Sequence, residues 1–308
     1  MIISASRRTD IPAFYSEWML ARLKAGEVLV PYPRNPERLG RAGLSPDNTD
    51  CIMFWTKNPA PMLDKLDHID SLGFRYYFSF TVTGYGNDIE RNLPPKQEVI
   101  ETFLRLSERI GPKRVDWRFD PVLVDSTYTV QWQLDTFGEM CRKLRGATER
   151  CIINFIKPYR HLPHIRELDI AVIRELAAGM AAIAKEHEVP IYNCTDVWDL
   201  RDLDISFSAC IDRAKIEEIC GYSIDVKKDP GQPAVCRCVQ SIDIGMYDTC
   251  AHGCTYCYAI ASRKRLEQNL AAHRPGARML AGEPPPGAEI FDRTGPSHKT
   301  GQLEFMEY

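Results

Sequence analysis

No apolar run in the chain approaches the roughly 18 to 20 residues that a membrane-crossing helix needs. The opening Met-Ile-Ile-Ser-Ala-Ser-Arg-Arg also lacks the charged-then-apolar order of a secretory leader. A cytoplasmic protein without a membrane partner is therefore expected. With a net charge of −3 there is no overall basic field to gather nucleic acid by counterion release, so nucleic acid is not the favoured partner, although a local basic groove stays open. Nor is there an internal repeat beyond a simple alternation of elements. Cysteine, by contrast, is abundant: eleven residues, an odd number with several in tight clusters. That count disfavours a disulfide framework and suits a reducing compartment in which thiolates hold metal. The 308 residues, 44% of them apolar, suffice for one large α/β barrel or two ordinary domains.

Short β-rich runs alternate with amphipathic stretches along the whole chain, which predicts βα units and a parallel sheet. Strands are expected at 2–5, 51–56, 76–82, 114–119, 151–156, 190–194 and 241–247, with short or edge pairings at 28–31 and 224–227. Helices are expected at 13–24, 95–110, 130–144, 165–186 and 212–220, several closed by glycine, as at Gly26, Gly111, Gly146 and Gly221. Residues 1–273 read as one domain, and 274–308, with Gly-Glu-Pro-Pro-Pro-Gly, as an irregular tail. The strand ends carry reactive or anion-binding residues: Ser6 to Asp10, Thr56-Lys57-Asn58, Ser79 with Thr81, Arg118 with Asp120, Asn154 with Lys157, and Cys194 with Asp196. In α/β barrels the carboxyl ends of the strands open on one face, so these residues predict one convergent pocket.

The run Cys250-Ala-His-Gly-Cys254-Thr-Tyr-Cys257 is a C-x3-C-x2-C array. Three thiolates can bind three irons of a cubane cluster and leave the fourth open, whereas structural zinc and most ferredoxin clusters close four ligands. A zinc knuckle or scattered buried thiols is the plainer alternative.

This array resembles the signature of the radical S-adenosylmethionine (radical SAM) enzymes, and an enzyme is expected. The resemblance implies a [4Fe-4S] cluster on Cys250, Cys254 and Cys257, with S-adenosylmethionine chelated to the open iron. It also implies reductive cleavage of that cofactor and hydrogen abstraction from a substrate whose identity stays open, with ferredoxin or flavodoxin as reductant. The implied fold is a full or partial TIM-like (β/α) barrel. Because the cluster strand comes last here, the barrel would be circularly permuted, with 241–247 as its first strand and 255–269 as its first helix. The phrases Thr9-Asp10-Ile-Pro, Thr56-Lys57-Asn58-Pro59, Ser79-Phe-Thr81 and Arg118-Phe-Asp120-Pro121 resemble the spore photoproduct lyase-like branch, and the whole chain resembles an uncharacterised bacterial domain-of-unknown-function family. By the same resemblance Tyr256 lies near the adenine, Ser79 or Thr81 reaches the ribose, and Lys57 and Arg118 meet a carboxylate or substrate anion. The superfamily's Gly-Gly-Glu is missing, and Asp10 or the Ser6 region would accept from the ammonium in its place.

Cys194, Cys210, Cys236 and Cys238 form a second set, enough for a closed zinc tetrahedron or an auxiliary [4Fe-4S] cluster; core packing with a Cys236–Cys238 redox pair is the alternative. Two other functions stay open. One is an electron-transfer or iron-sensing protein whose array takes Cys238 as a fourth ligand, and the other is a zinc-stabilised barrel. His252 inside the array could tune a cluster through a hydrogen bond to sulfur. Cys51, Cys141, Cys151 and Cys220 read as small buried hydrophobes.

Overall fold

The structure is a computed structural model that describes residues 1–33, 35–195 and 197–301. Eight parallel strands form one sheet: β1 (Ile2–Ala5), β4 (Cys51–Thr56), β5 (Tyr76–Thr81), β6 (Val115–Val122), β7 (Cys151–Phe155), β8 (Ile191–Asn193), β9 (Ser206–Phe207) and β10 (Ile242–Asp243). Their spatial order is β10-β1-β4-β5-β6-β7-β8-β9, so the last strand of the sheet in the chain lies beside the first. A second sheet joins β2 (Glu27–Tyr32) and β11 (Glu289–Asp292) to β3 (Asn35–Gly43). The helices are α1 (Ile11–Phe14), α2 (Ser16–Ala25), α3 (Leu66–Ser71), α4 (Lys96–Ile110), α5 (Val130–Leu144), α6 (Ile170–Glu186), α7 (Arg213–Cys220) and α8 (Arg263–Ala272). Among the described residues no helix is long and apolar enough to cross a membrane.

Register divides the large sheet into two faces. On one, Ala5, Phe54 and Phe78 stand in a row, as do Phe80, Trp117 and Cys151. These side chains join the main core with Phe103, Phe137 and Met180 from α4, α5 and α6. The other face is mixed: Asp243 beside Ser4, Trp55 beside Ser79 and Asp116, Thr81 beside Arg118. Over it packs the segment that follows β9, with Cys210, Ile211, Ile216 and Cys238 against Ile2, Met53 and Tyr77. Parallel strands are usually apolar on both faces, so a polar face under a loop-rich cover marks where a ligand site can form.

Several boundaries differ from the sequence reading. The helix expected at 13–24 is interrupted at Tyr15, leaving a short α1 capped by the Asp10 side chain. The helix expected at 165–186 begins at Ile170, where Asp169 caps it by accepting from Ala171 N–H. That expected at 255–269 begins only at Arg263 with Ser262 as cap, because the cysteine loop stays irregular until then. Of the strand expected at 241–247 only Ile242–Asp243 pairs, and 224–227 makes a single bridge, Ile224 to Lys299. The tail is not wholly irregular, since Glu289–Asp292 adds in parallel to β3 and Trp18 Nε1 donates to the carbonyls of Ala277 and Met279. Asp196 lies outside the described residues.

Trp117 is fully buried, stacks on Phe137 at 5.2 Å and donates to the Val82 carbonyl. Trp117→Ala should cost about 3–5 kcal/mol in chemical denaturation, while Leu104→Ala on the exposed side of α4 should stay within about 0.5 kcal/mol.

Candidate metal and cofactor site

The loop after β10 carries Cys250, Cys254 and Cys257 over the carboxyl ends of the strands, and all three line one cavity of about 760 Å³. Backbone geometry fixes this loop. Gly245 leaves no room for a Cβ, which would lie 2.2 Å from Ser6 Oγ, so only glycine lets the last strand run this close to the first loop. Gly253 is left-handed, with φ of 69°, and packs on Asn92. The segment around residue 90 clamps the array from one side: Thr255 N–H donates to the Ile89 carbonyl, Asn92 N–H to that of His252, and Asn92 Nδ2 to that of Ala251. From another side Tyr15 Oη donates to the Thr249 carbonyl at 2.6 Å. Asp248 accepts from the N–H groups of Ala261 and Ser262 and from Arg265.

Three carboxylates hold the cavity wall, Asp10 and Glu90 buried and Asp243 partly so. Asp243 accepts from Ser4 Oγ, Ser6 Oγ and the N–H groups of Arg7 and Gly245, locking β10 to β1. Asp10 accepts from Ala13 N–H at one oxygen and from Lys57 N–H and His252 Nε2 at the other, the last at 2.7 Å. Glu90, 1% exposed, accepts from Lys57, Lys96, Thr83 and the Tyr256 hydroxyl. Burial alone would raise the Glu90 carboxyl; the Lys57 and Lys96 ammoniums outweigh it and hold the group down at about 2. The two lysines respond in opposite directions: Lys57 is raised because Glu90 overcomes its burial, whereas burial prevails at Lys96 and lowers it. Sequence reasoning missed Glu90 and Asp243, since neither sits in a motif and each is defined by donors far away in the chain.

The expected site residues fall into distinct groups. Lys57, Thr81, Arg118, Asp10 and Tyr256 line the cavity with the three cysteines. Ser79 does not; it lies buried within the sheet, in register with Trp55 and Asp116. The oxygens of Asp10 are already filled by donors, which argues against it as the acceptor for an ammonium. The Tyr256 hydroxyl is committed to Glu90, leaving its ring as the part a ligand can touch. Arg118 pairs with Asp120 and places Nη1 2.9 Å from Cys210 Sγ. In the loop after β7 His161 sits against Tyr159, and His164 meets the Thr255 carbonyl.

Burial pushes the Cys254 thiol up to about 12 and raises those of Cys250 and Cys257 as well. Cys250, Cys254 and Cys257 feel one another's charge. Across the cavity Cys194, Cys210, Cys238 and Cys236 form a chain, each thiol within hydrogen-bonding reach of the next. Cys238 is lowered, first by the Cys210 thiol and then by the Cys236 thiol that donate to it, and Arg7 adds to this. Among the described residues no three histidine, cysteine, aspartate or glutamate side chains gather as a single metal ion would require. Five residues of the cavity wall hold a buried polar atom without a partner: Arg7 Nη2, Thr9 Oγ1, Asn154 Oδ1, Ser241 Oγ and His252 Nδ1. Buried polar groups are rarely left without a partner, so these five await solvent or a polar ligand in the cavity.

The chain belongs to a family described as a domain of unknown function (DUF1848), whose model matches residues 2–259. No curated protein matches it. Among solved structures, one described as a "putative alpha-L-fucosidase from Bacteroides thetaiotaomicron VPI-5482" is 7% identical, covers 71% of this chain and 82% of that one, and has a TM-score of 0.23. A likeness that weak carries no argument here.

Because the folded Glu90 carboxyl sits near 2 instead of its ordinary 4.5, its contribution is fully present above about pH 4.5 and is lost as pH falls toward 2. The loss is on the order of 3 kcal/mol. Denaturation followed against pH should show this acid-side loss in the native protein and a much flatter response in Glu90→Gln, which should also be the less stable of the two at pH 7.

Proposed function

We propose that the chain is a radical SAM-type enzyme: Cys250, Cys254 and Cys257 hold a [4Fe-4S] cluster with one iron open to S-adenosylmethionine, and the cavity holds the substrate. The observation that carries this reading is the three-cysteine array in the wall of a cavity ringed by unpartnered polar atoms. Reduced and bound to the cofactor, such a cluster supplies an electron that cleaves the sulfonium and starts hydrogen abstraction.

The residues present fit that group. The cavity of about 760 Å³ suits a nucleoside-sized cofactor with a small substrate. His252 Nε2 hydrogen-bonds Asp10 and leaves Nδ1 a buried atom without a partner, a candidate contact for the cofactor's amino-acid end where the Gly-Gly-Glu is missing. Lys57, 5.5 Å from the centre of the Tyr256 ring, sets a positive charge beside the array through its Glu90 pair. Arg7 Nη2 and Asn154 offer polar contacts to the far end of a ligand. The pairing of β10 with β1 supports reading the fold as a permuted barrel whose first strand is the one before the cysteines. Cys238 is a poor fourth ligand for the array, because it belongs to the chain of thiols formed with Cys210 and Cys236. That weakens the electron-transfer alternative.

Anaerobic reconstitution followed by dithionite and S-adenosylmethionine should yield 5′-deoxyadenosine, and Cys254→Ala should abolish it. A protein that demonstrably holds the cluster yet forms no 5′-deoxyadenosine would refute the enzyme reading. The electron paramagnetic resonance signal of the reduced protein should also shift when the cofactor is added.

A further inference from the structure

The cations in the cavity wall are not equally engaged. Lys57 is held by Glu90 and Arg118 by Asp120, while Arg8 donates to the Gly245 carbonyl at 3.3 Å. Arg7 and Lys157 line the same cavity with donors to spare. Arg7 reaches Asp229 only at 3.9 Å, a carboxylate that also accepts from Gly231 N–H, and its Nη2 is buried without a partner. Lys157 is half-buried, its ammonium 5.2 Å from the centre of the Trp198 ring, and among the described residues no carboxylate pairs with it. One aromatic pair fixes both cations against the cysteine array. Tyr258, which follows Cys257, donates to the Arg7 carbonyl at 2.6 Å and stacks on Tyr159, two residues after Lys157, with ring centres 5.3 Å apart. His164 ties the same loop to the Thr255 carbonyl. We propose that Arg7 and Lys157 form an oxyanion subsite, which takes the carboxylate or phosphate group of an organic substrate on the Cys257 side of the cavity.

That the ligand is a substrate rests on the enzyme reading above; that it is an anion rests on the two cations alone. A charged group drawn out of water without a counter-ion is costly. An oxyanion relieves that cost, since a guanidinium with a free edge can meet two oxygens at once and an ammonium adds a point charge. The two cations follow β1 and β7, which stand four places apart in the strand order. A group held by both therefore spans the cavity instead of lying along one strand. At the end of β7 Asn154 adds an unpartnered amide to the wall that carries Lys157. Tyr159, Tyr247 and Tyr258, each exposed and each lining the cavity, offer apolar surface to the carbon part of the substrate.

The test follows thermal unfolding of the full chain at fixed ionic strength while chloride is replaced by inorganic phosphate or by acetate. A saturable rise in Tm is expected; with phosphate it assigns a phosphate group, with acetate a carboxylate. In Lys157→Gln the anion concentration at half-saturation should rise on the order of tenfold, whereas Lys24→Ala, an exposed charge on α2, should leave it unchanged. No saturable rise with either anion, or the same half-saturation in Lys157→Gln as in the native chain, would overturn the proposal. Should Lys157→Gln fail to fold, Arg7→Lys, which keeps the charge and loses the two-pronged edge, should weaken the response to a similar degree; an unaltered response in it counts against the proposal. After anaerobic reconstitution, S-adenosylmethionine should leave the anion response in place. If it abolishes that response, the two cations serve the cofactor's carboxylate and the substrate subsite is refuted. Formation of 5′-deoxyadenosine is scored separately: anion binding without it keeps the subsite and refutes the enzyme reading, and its formation without anion binding does the reverse.

Discussion

The pairing of the last sheet strand with the first is the constraint on which the rest of the structure depends. Without β10 alongside β1, the cysteine loop would have no fixed place over the ends of the other strands. The pairing is only two residues long in its ladder, too short to hold by backbone hydrogen bonds alone. Asp243 completes it: a carboxylate that accepts from two serine hydroxyls and two N–H groups fastens the strand and the loop after β1 in one stroke. Charge-assisted bonds in a buried setting are stronger than neutral ones, and removing their acceptor strands several donors together. A short ladder can therefore position a site only because the ionic contact beside it is saturated.

The same device recurs at Asp10 and Glu90. Each is a buried acid that gathers donors from distant parts of the chain and so converts loop positions into fixed ones. Glu90 draws in Lys57, Lys96, Thr83 and Tyr256; Asp10 draws in α1, the loop after β4 and His252. The wall around the three cysteines thus consists of loops made rigid by anions, with Lys57, paired to Glu90, left lining the cavity. Where a buried group is saturated it acts as scaffold, and where it is orphaned, as at His252 Nδ1 or Ser241 Oγ, it is free to meet a ligand. That division separates Asp10 from the residues proposed to touch a cofactor, although its motif raised the same expectation as theirs.

Much of this was legible in the sequence, and the parts that were not share a cause. Short, nearly continuous β-rich apolar runs place β1, β4 and β5 closely, and the helix at 130–144 matches to the residue, because local pattern and burial agree there. The two-residue strand β9 has no pattern to detect. β3, the middle strand of the small sheet, opens with Asn-Pro-Glu-Arg, polar residues and a proline that no apolar pattern marks as a strand. The helix after the cysteines starts late because Asp248 binds the N–H groups of Ala261 and Ser262 and holds the preceding turn open, a bond across thirteen and fourteen residues. Glu90 sits in no motif; its two lysines, one 33 residues back and one 6 ahead, make it a buried hub.

The two sets of thiols face one cavity under different electrostatic conditions. At Cys250, Cys254 and Cys257 burial dominates and holds the sulfurs protonated, so ligation there must release protons against a dry environment. On the other side, alternate thiols are lowered by the hydrogen bonds of their neighbours, with Arg7 and Arg118 close by. A thiol lowered in this way gives up its proton to a metal more readily than one raised by burial. Trp55 lies between these guanidiniums on the polar face of the sheet, and its Nε1 donates to Ser4, which in turn donates to Asp243. One continuous network therefore runs from the second set of sulfurs, through the aromatic ring, to the carboxylate that fixes the cysteine loop.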